Sequence, residues 1–176
     1  MSYTLPGTDL TADLLSTPEE FVEHERCLFK AFSSEPWSMN YCTLIDGDRL
    51  QHPIPYSSQL VYGVRHKGVL VSGICVNFGR DRLMLEDVGF KLTSEQRAEN
   101  FLDGLYLYSL KVPGVNPLDI GACWNGYVFR ELAERGYTCL YDTCNARMGT
   151  FFKFQGWEEL AELTGDDPEF LMVKRL

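Results

Sequence analysis

The chain has 176 residues, 45% hydrophobic and 23% charged, which suits one compact domain with a mixed core that needs no metal or disulfide staple. Its formal charge is −9 and its lysines and arginines are scattered, so a nucleic-acid backbone meets net repulsion, whereas a cationic small molecule such as an amine meets attraction. No stretch of about 18 apolar residues and no signal-peptide pattern occur, and the six cysteines lack Cys-x-x-Cys spacing, so the expectation is a cytoplasmic chain off the membrane with free, mostly buried thiols.

Thr17, Pro18, Glu19 and Glu20 spell a helix start, with a threonine cap, proline at the first helical position and glutamate three after the cap. Phe21, Leu28 and Phe32 follow at helical intervals, predicting a helix over 18–33. The proline-rich stretch 35–58 reads as a long irregular connection with a short strand at 41–45, and such connections are often functional. Trp37, Tyr41 and Tyr56 there are candidates for lining an acceptor pocket, with a minor core as the alternative. Two apolar runs, 59–65 and 69–78, flank the turn signal His66-Lys67-Gly68 and predict an antiparallel hairpin.

A further strand is expected over 83–90. Thr93 to Gln96 is a second capping pattern, predicting a short helix at 94–102 and a strand at 105–112, with a single helix over 94–111 as the rival. After Gly121, an apolar face of Tyr127, Val128, Leu132 and Ala133 predicts a helix over 122–135 that stops at Gly136. A strand at 138–143, a helix at 146–155 ended by Gly156, and strands at 157–163 and 169–176 complete the chain.

The order of these elements and particular residues resemble the GCN5-related N-acetyltransferase (GNAT) superfamily. Lys111-Val112-Pro113 stands where that family ends a strand, and the run from Asn116 to Gly121 stands at its loop Arg/Gln-x-x-Gly-x-Gly/Ala. Asn145, Met148, Phe151, Phe152, Gly156 and Trp157 echo its closing pattern. The resemblance implies an α/β fold with a mixed, mostly antiparallel central sheet flanked by helices, in which parallel strands near 105–112 and 138–143 splay apart. It also implies acyl transfer, most simply from acetyl-CoA or another acyl-CoA to a small-molecule amine. Terminal-strand pairing between subunits, frequent in such folds, would make it a homodimer.

Main-chain donors at a helix start can hold the diphosphate of such a donor. Ile120, Gly121, Ala122 and Cys123 are the candidates, with Val112, Asn145 and Phe152 at the remaining family positions for the cofactor. The resemblance departs at Asp119, a carboxylate facing the diphosphate, and at Phe152, where the family often carries a tyrosine that protonates the departing thiolate. Tyr141 and Cys144 are alternative acids by location, and Glu86, Asp87, Tyr106 and Tyr108 are alternative bases. Each has a structural reading as well: a solvated strand edge for the two carboxylates, packing for the tyrosines. Cys123 has no histidine partner in the pattern and reads as structural, and His24, His52 and His66 lack metal-ligand spacing. The eroded loop leaves open a non-catalytic binding protein of the same fold, or an enzyme using a longer acyl group or a carrier-protein donor.

Overall fold

The computed structural model describes residues 2–33 and 41–176. In chain order the elements begin with strands β1 (Tyr3–Thr4) and β2 (Leu10–Leu14), helix α1 (Pro18–Phe32), and strands β3 (Thr43–Ile45), β4 (Arg49–Gln51), β5 (Gln59–His66) and β6 (Val69–Asn77). Helices α2 (Met84–Val88) and α3 (Ser94–Ala98) lead to β7 (Phe101–Ser109) and then α4 (Pro117–Cys123), a π-helical turn over Trp124–Val128, and α5 (Phe129–Glu134). Strand β8 (Cys139–Asn145), helix α6 (Ala146–Phe154) and strands β9 (Glu158–Leu163) and β10 (Glu169–Arg175) end the chain. Eight strands hydrogen-bond in the order β1-β2-β5-β6-β7-β8-β10-β9, and β3 pairs with β4 alone. The large sheet is mostly antiparallel, with β7 and β8 as its parallel pair.

The chain divides into two compact units, the first being Met1–Cys75 with Tyr106–Val128 and the second Val76–Leu105 with Phe129–Leu176. In the first, α1 opens as expected: the Glu20 N–H donates to Thr17 Oγ1 and the Thr17 N–H donates to the Glu20 carboxylate. The β5–β6 turn places Lys67 at φ 52° and Gly68 at φ 82°, the pair of left-handed residues that a tight hairpin needs. Strand β6 is buried from Leu70 through Asn77. Its Gly73 leaves the space that the Tyr108 ring fills, because a Cβ there would lie 2.6 Å from that ring and its hydroxyl. Strands β1, β2 and β4 are additions to the sequence reading, and the strand expected at 41–45 is the shorter β3.

In the second unit the expected strand over 83–90 is instead helix α2. The reason is remote in sequence: the buried Asp103 carboxylate accepts the N–H groups of Met84 at 2.6 Å and Leu85 at 3.3 Å, capping a turn that has no local cap. Helix α3 carries the foreseen capping box of Thr93 and Gln96 but ends at Ala98. Strand β7 therefore starts at Phe101, ahead of the expected 105, and excludes the rival single helix. In the first unit the helix expected over 122–135 begins five residues earlier, at Pro117, with Asn116 as its cap. Its π-turn is braced by the Asn125 side-chain amide, which donates to the Gly121 carbonyl at 3.0 Å.

Strand β8 pairs with β10 along its whole length, from Cys139 to Asn145, and with β7 over three rungs, Phe101↔Cys139, Leu102↔Leu140 and Asp103↔Tyr141. Below that pair Leu83, Leu85, Phe90, Leu92, Phe101, Tyr141, Leu171 and Val173 form one apolar cluster. Strand β9 is an exposed edge that carries Glu158, Glu159 and Glu162. No described helix is long and apolar enough to cross a membrane.

Gly73→Ala tests the seating of Tyr108. The added methyl must displace the ring, so urea unfolding is expected to show a loss of about 1–3 kcal/mol. An unchanged midpoint would mean that the ring does not rest on that glycine.

Candidate functional site

In the first unit a cleft of about 600 Å³ lies along α1, in the size range of small-molecule sites. Val22, Cys27, Leu70, Val71, Leu110 and Val112 give it an apolar floor, with Glu19, Glu23, Arg26 and Lys30 also lining it. Glu23 and Arg26 are already paired, with Arg65 at 2.7 Å and Asp48 at 3.1 Å. Behind this wall His24 sits between two strands, its Nδ1 3.1 Å from Tyr108 Oη on β7 and its Nε2 2.9 Å from Cys75 Sγ on β6. Burial pushes the His24 pKa down to about 3, and it pushes the Cys75 thiol and the Tyr108 phenol well above their usual values. At neutral pH all three groups are therefore uncharged hydrogen-bonding partners. Metal-ligand spacing gives no sign of this role, although His24 falls three after Phe21 and four before Leu28, on the buried stripe of α1.

Tyr106 and Tyr108 are 4% and 3% exposed, which favours packing over a base in contact with solvent. Cys42 donates to the Tyr106 hydroxyl at 3.0 Å. Tyr56 donates to Glu25 Oε1 at 2.9 Å and stacks on Phe21, so its hydroxyl serves a buried carboxylate that Arg49 and Gln51 also hold. Tyr41 is half-buried, and Trp37 lies outside the described residues. His52 caps a turn, its Nδ1 accepting the Ile54 N–H at 3.0 Å.

The candidate diphosphate residues lie within a helix rather than ahead of one. The Leu118 N–H donates to Asn116 Oδ1 at 3.1 Å, and the Asp119 and Ile120 N–H groups donate to the Asn116 carbonyl at 3.0 and 3.4 Å. Gly121 and Cys123 are buried, Ala122 is exposed and Val112 is half-buried. Burial and the neighbouring Asp119 raise the Cys123 pKa to about 11, so its place near a helix start does not activate the thiol.

The second unit corrects the placement of one candidate. Glu86 stands on α2 instead of a strand and forms an ion pair with Arg97. Tyr141 is 0% exposed, and its hydroxyl donates to the Glu99 carboxylate at 3.0 Å, beside the Cys139 thiol and Arg175. Burial, with that carboxylate, raises the Tyr141 phenol. Asn145 caps α6 by accepting the Met148 N–H at 3.1 Å, and Phe152 is buried in a stack with Trp157, centroids 4.7 Å apart. The Cys144 thiol is raised by burial to about 12.

Two carboxyl groups absent from the sequence candidates stand where the β7–β8 ladder ends. Asp103 is 0% exposed and Asp142 is 7% exposed. Burial raises both to about 7, and the negative charge of Asp103 adds to the effect on Asp142. A Cβ on Gly104 would lie 2.5 Å from the Asp142 carboxyl carbon, so the group rests on the glycine backbone. The signal was a single acid in each of two apolar strand runs, Phe101-Leu102-Asp103-Gly104-Leu105 and Cys139-Leu140-Tyr141-Asp142.

No protein-family model matches the chain, and no curated protein sequence matches it. Solved structures do match in fold. FeeM, an N-acyl amino acid synthase from uncultured soil microbes, aligns over 94% of this chain and 90% of its own at 14% identity and TM-score 0.65. The AHL (acyl-homoserine lactone) synthase LasI aligns over 96% of this chain and 91% of its own at 8% identity and TM-score 0.76. A Desulfovibrio desulfuricans protein assigned as an acetyltransferase of the GNAT family aligns over 94% of this chain and 98% of its own at 10% identity and TM-score 0.63. The chain thus has the GNAT fold, with a mostly antiparallel sheet and one parallel pair.

The sign of the Asp142 shift gives a direct test. A carboxyl raised from 3.8 to about 7 contributes stability at low pH that is lost as pH climbs through 7, because the folded form must then hold a buried charge. Asp142→Asn is expected to gain about 2 kcal/mol on the wild type between pH 5 and pH 8 in paired urea titrations. A constant difference would show that the carboxyl is already ionised at pH 5.

Proposed function

We propose that this chain is an acyltransferase that moves an acyl group from an acyl-CoA thioester to the amine of a small molecule by direct attack. One observation carries the reading: a parallel pair whose ladder stops after three rungs, at Asp103 and Tyr141, in a fold shared with FeeM, LasI and a GNAT acetyltransferase. At the strand edge released there an extended amide-bearing arm can lie along β8 and pair with its main chain. Acetyl-CoA is the simplest donor. That FeeM and LasI are an N-acyl amino acid synthase and an acyl-homoserine lactone synthase favours a second reading with a longer acyl chain.

The diphosphate of the donor is assigned, within the first unit, to the start of α4, with Val112, Ile120, Gly121, Ala122 and Cys123 as the further residues that the resemblance implies. Binding there exchanges the Asn116 carboxamide for a phosphate oxygen on the Leu118 N–H, since that side chain is the replaceable partner. The net charge of −9 draws the amine in as an ammonium ion. It must shed a proton before its lone pair can reach the thioester carbonyl.

Micromolar acetyl-CoA or a longer acyl-CoA is expected to raise the melting temperature, free CoA less so. A wild type unmoved by every thioester would overturn the donor assignment. Ala122→Glu changes only an exposed methyl yet sets a negative charge beside the assigned diphosphate. It is expected to weaken acyl-CoA binding about tenfold at an unchanged melting temperature of the free protein. Binding equal to wild type would remove the diphosphate from α4.

A further inference from the structure

We propose that Asp142 is the proton-transferring catalytic residue of the acyl transfer, giving its carboxyl proton to the departing sulfur and taking up the proton left on the attacking nitrogen. This rests on the acyltransfer reading above and adds to it the group that performs the chemistry. Three observations on the second unit carry it.

The first is position. Strand β8 is paired with β10 throughout, so the end of its β7 ladder at Tyr141 frees one edge only, and Asp142 is the next residue along that edge. The second is direction. Side chains alternate along a strand, so Asp142 shares a face with Cys144 and not with Tyr141. The Cys144 Sγ lies 3.7 Å from where a Cβ of Gly149 would be, so α6 covers that face. This is the helix whose Phe152 has no proton to give. The third is partnership. Among the described residues the Asp142 carboxyl accepts from the Thr143 N–H at 2.8 Å, which favours its ionisation, and has no ion pair; Asp103 and Glu169 oppose its ionisation, and the Cys144 thiol on the same face brings no positive charge. A buried carboxyl that keeps part of its proton at neutral pH can both give a proton and take one up. Its seat on Gly104 fixes where it points.

The step balances. The nitrogen lone pair forms the C–N bond, the carbonyl re-forms, and the C–S bond breaks with its electron pair on sulfur. Sulfur takes the carboxyl proton and becomes the free thiol. The carboxylate then removes the proton from the new amide nitrogen, which restores the acid. One proton passes from nitrogen to sulfur and no other reactant is consumed.

The test is release of CoA thiol from acetyl-CoA and octanoyl-CoA, with a panel of primary amines including amino acids. For the amine giving fastest turnover, Asp142→Asn is expected to lower kcat at least 100-fold while KM for the acyl-CoA stays within twofold. Wild-type kcat is expected to fall as pH rises through about 7, as the acid form is lost. Gly104→Ala, which leaves the acid present but displaces it, should reproduce the loss of kcat. Undiminished kcat in Asp142→Asn, or a wild-type kcat flat from pH 6 to pH 8, would overturn the assignment to Asp142 while leaving acyl transfer intact. A wild type that binds no acyl-CoA and releases no thiol would instead overturn the acyltransfer reading, and this inference with it.

Discussion

A parallel ladder that stops is the constraint on which the second unit turns. Backbone amides and carbonyls inside a protein need partners, and a strand ordinarily finds them on both edges. Strand β8 has β10 on one edge for seven residues and β7 on the other for only three. Directly after the third rung β7 carries a glycine and β8 an acid, and the acid lies across the glycine. A larger residue at 104 would exclude the carboxyl, and a smaller one at 142 would leave a hole in its place. The two positions therefore specify each other.

Burial then sets the chemistry of the neighbouring acids apart. Asp103 and Asp142 are close to one another in strand register, and both are raised by burial. Asp103 is nonetheless tied to two backbone N–H groups of α2 and holds that helix in place. Asp142 has the single N–H of its own successor. The first acid is occupied by structure, and the second has acceptor and donor capacity to spare. The same contrast appears in the first unit, where His24 spans Tyr108 and Cys75 and all three groups are satisfied by each other. Among the described residues only Asp13 Oδ1 is a buried side-chain polar atom lacking a hydrogen bond.

Elements with local causes are legible in the sequence. The capping boxes at Thr17 and Thr93, the Lys67-Gly68 turn, the Gly156 stop and the terminal hairpin all depend on residues within a few positions of one another. Sequence and structure part where a distant residue decides. Leu83-Met84-Leu85 has strand composition, and it coils because Asp103 caps it. Gly104 reads as a break before a strand, and it lies inside one because the Asp142 carboxyl covers its backbone. Pro117 falls in the loop of the family pattern, which points past it to Gly121, although a proline after an asparagine cap is a helix start. For the site, alternation exposes the acids in principle, since one charge in an apolar strand needs a reason. Nothing local distinguishes Asp103, which caps, from Asp142, which does not.

That distinction bears on the proposed acyl transfer, because position 152 carries a phenylalanine. Phe152 is buried and stacked on Trp157, so its ring is fixed by packing and no hydroxyl is missing from an otherwise polar pocket. Tyr141 faces the opposite side of the sheet and is held by Glu99. The Cys144 thiol, at about 12, is too weak an acid to protonate a thiolate well at neutral pH. Asp142, at about 7, lies close to the working pH at which a group can both give and recover a proton. A carboxyl on the sheet needs a desolvated seat to remain protonated, and the glycine at 104 provides that seat for Asp142.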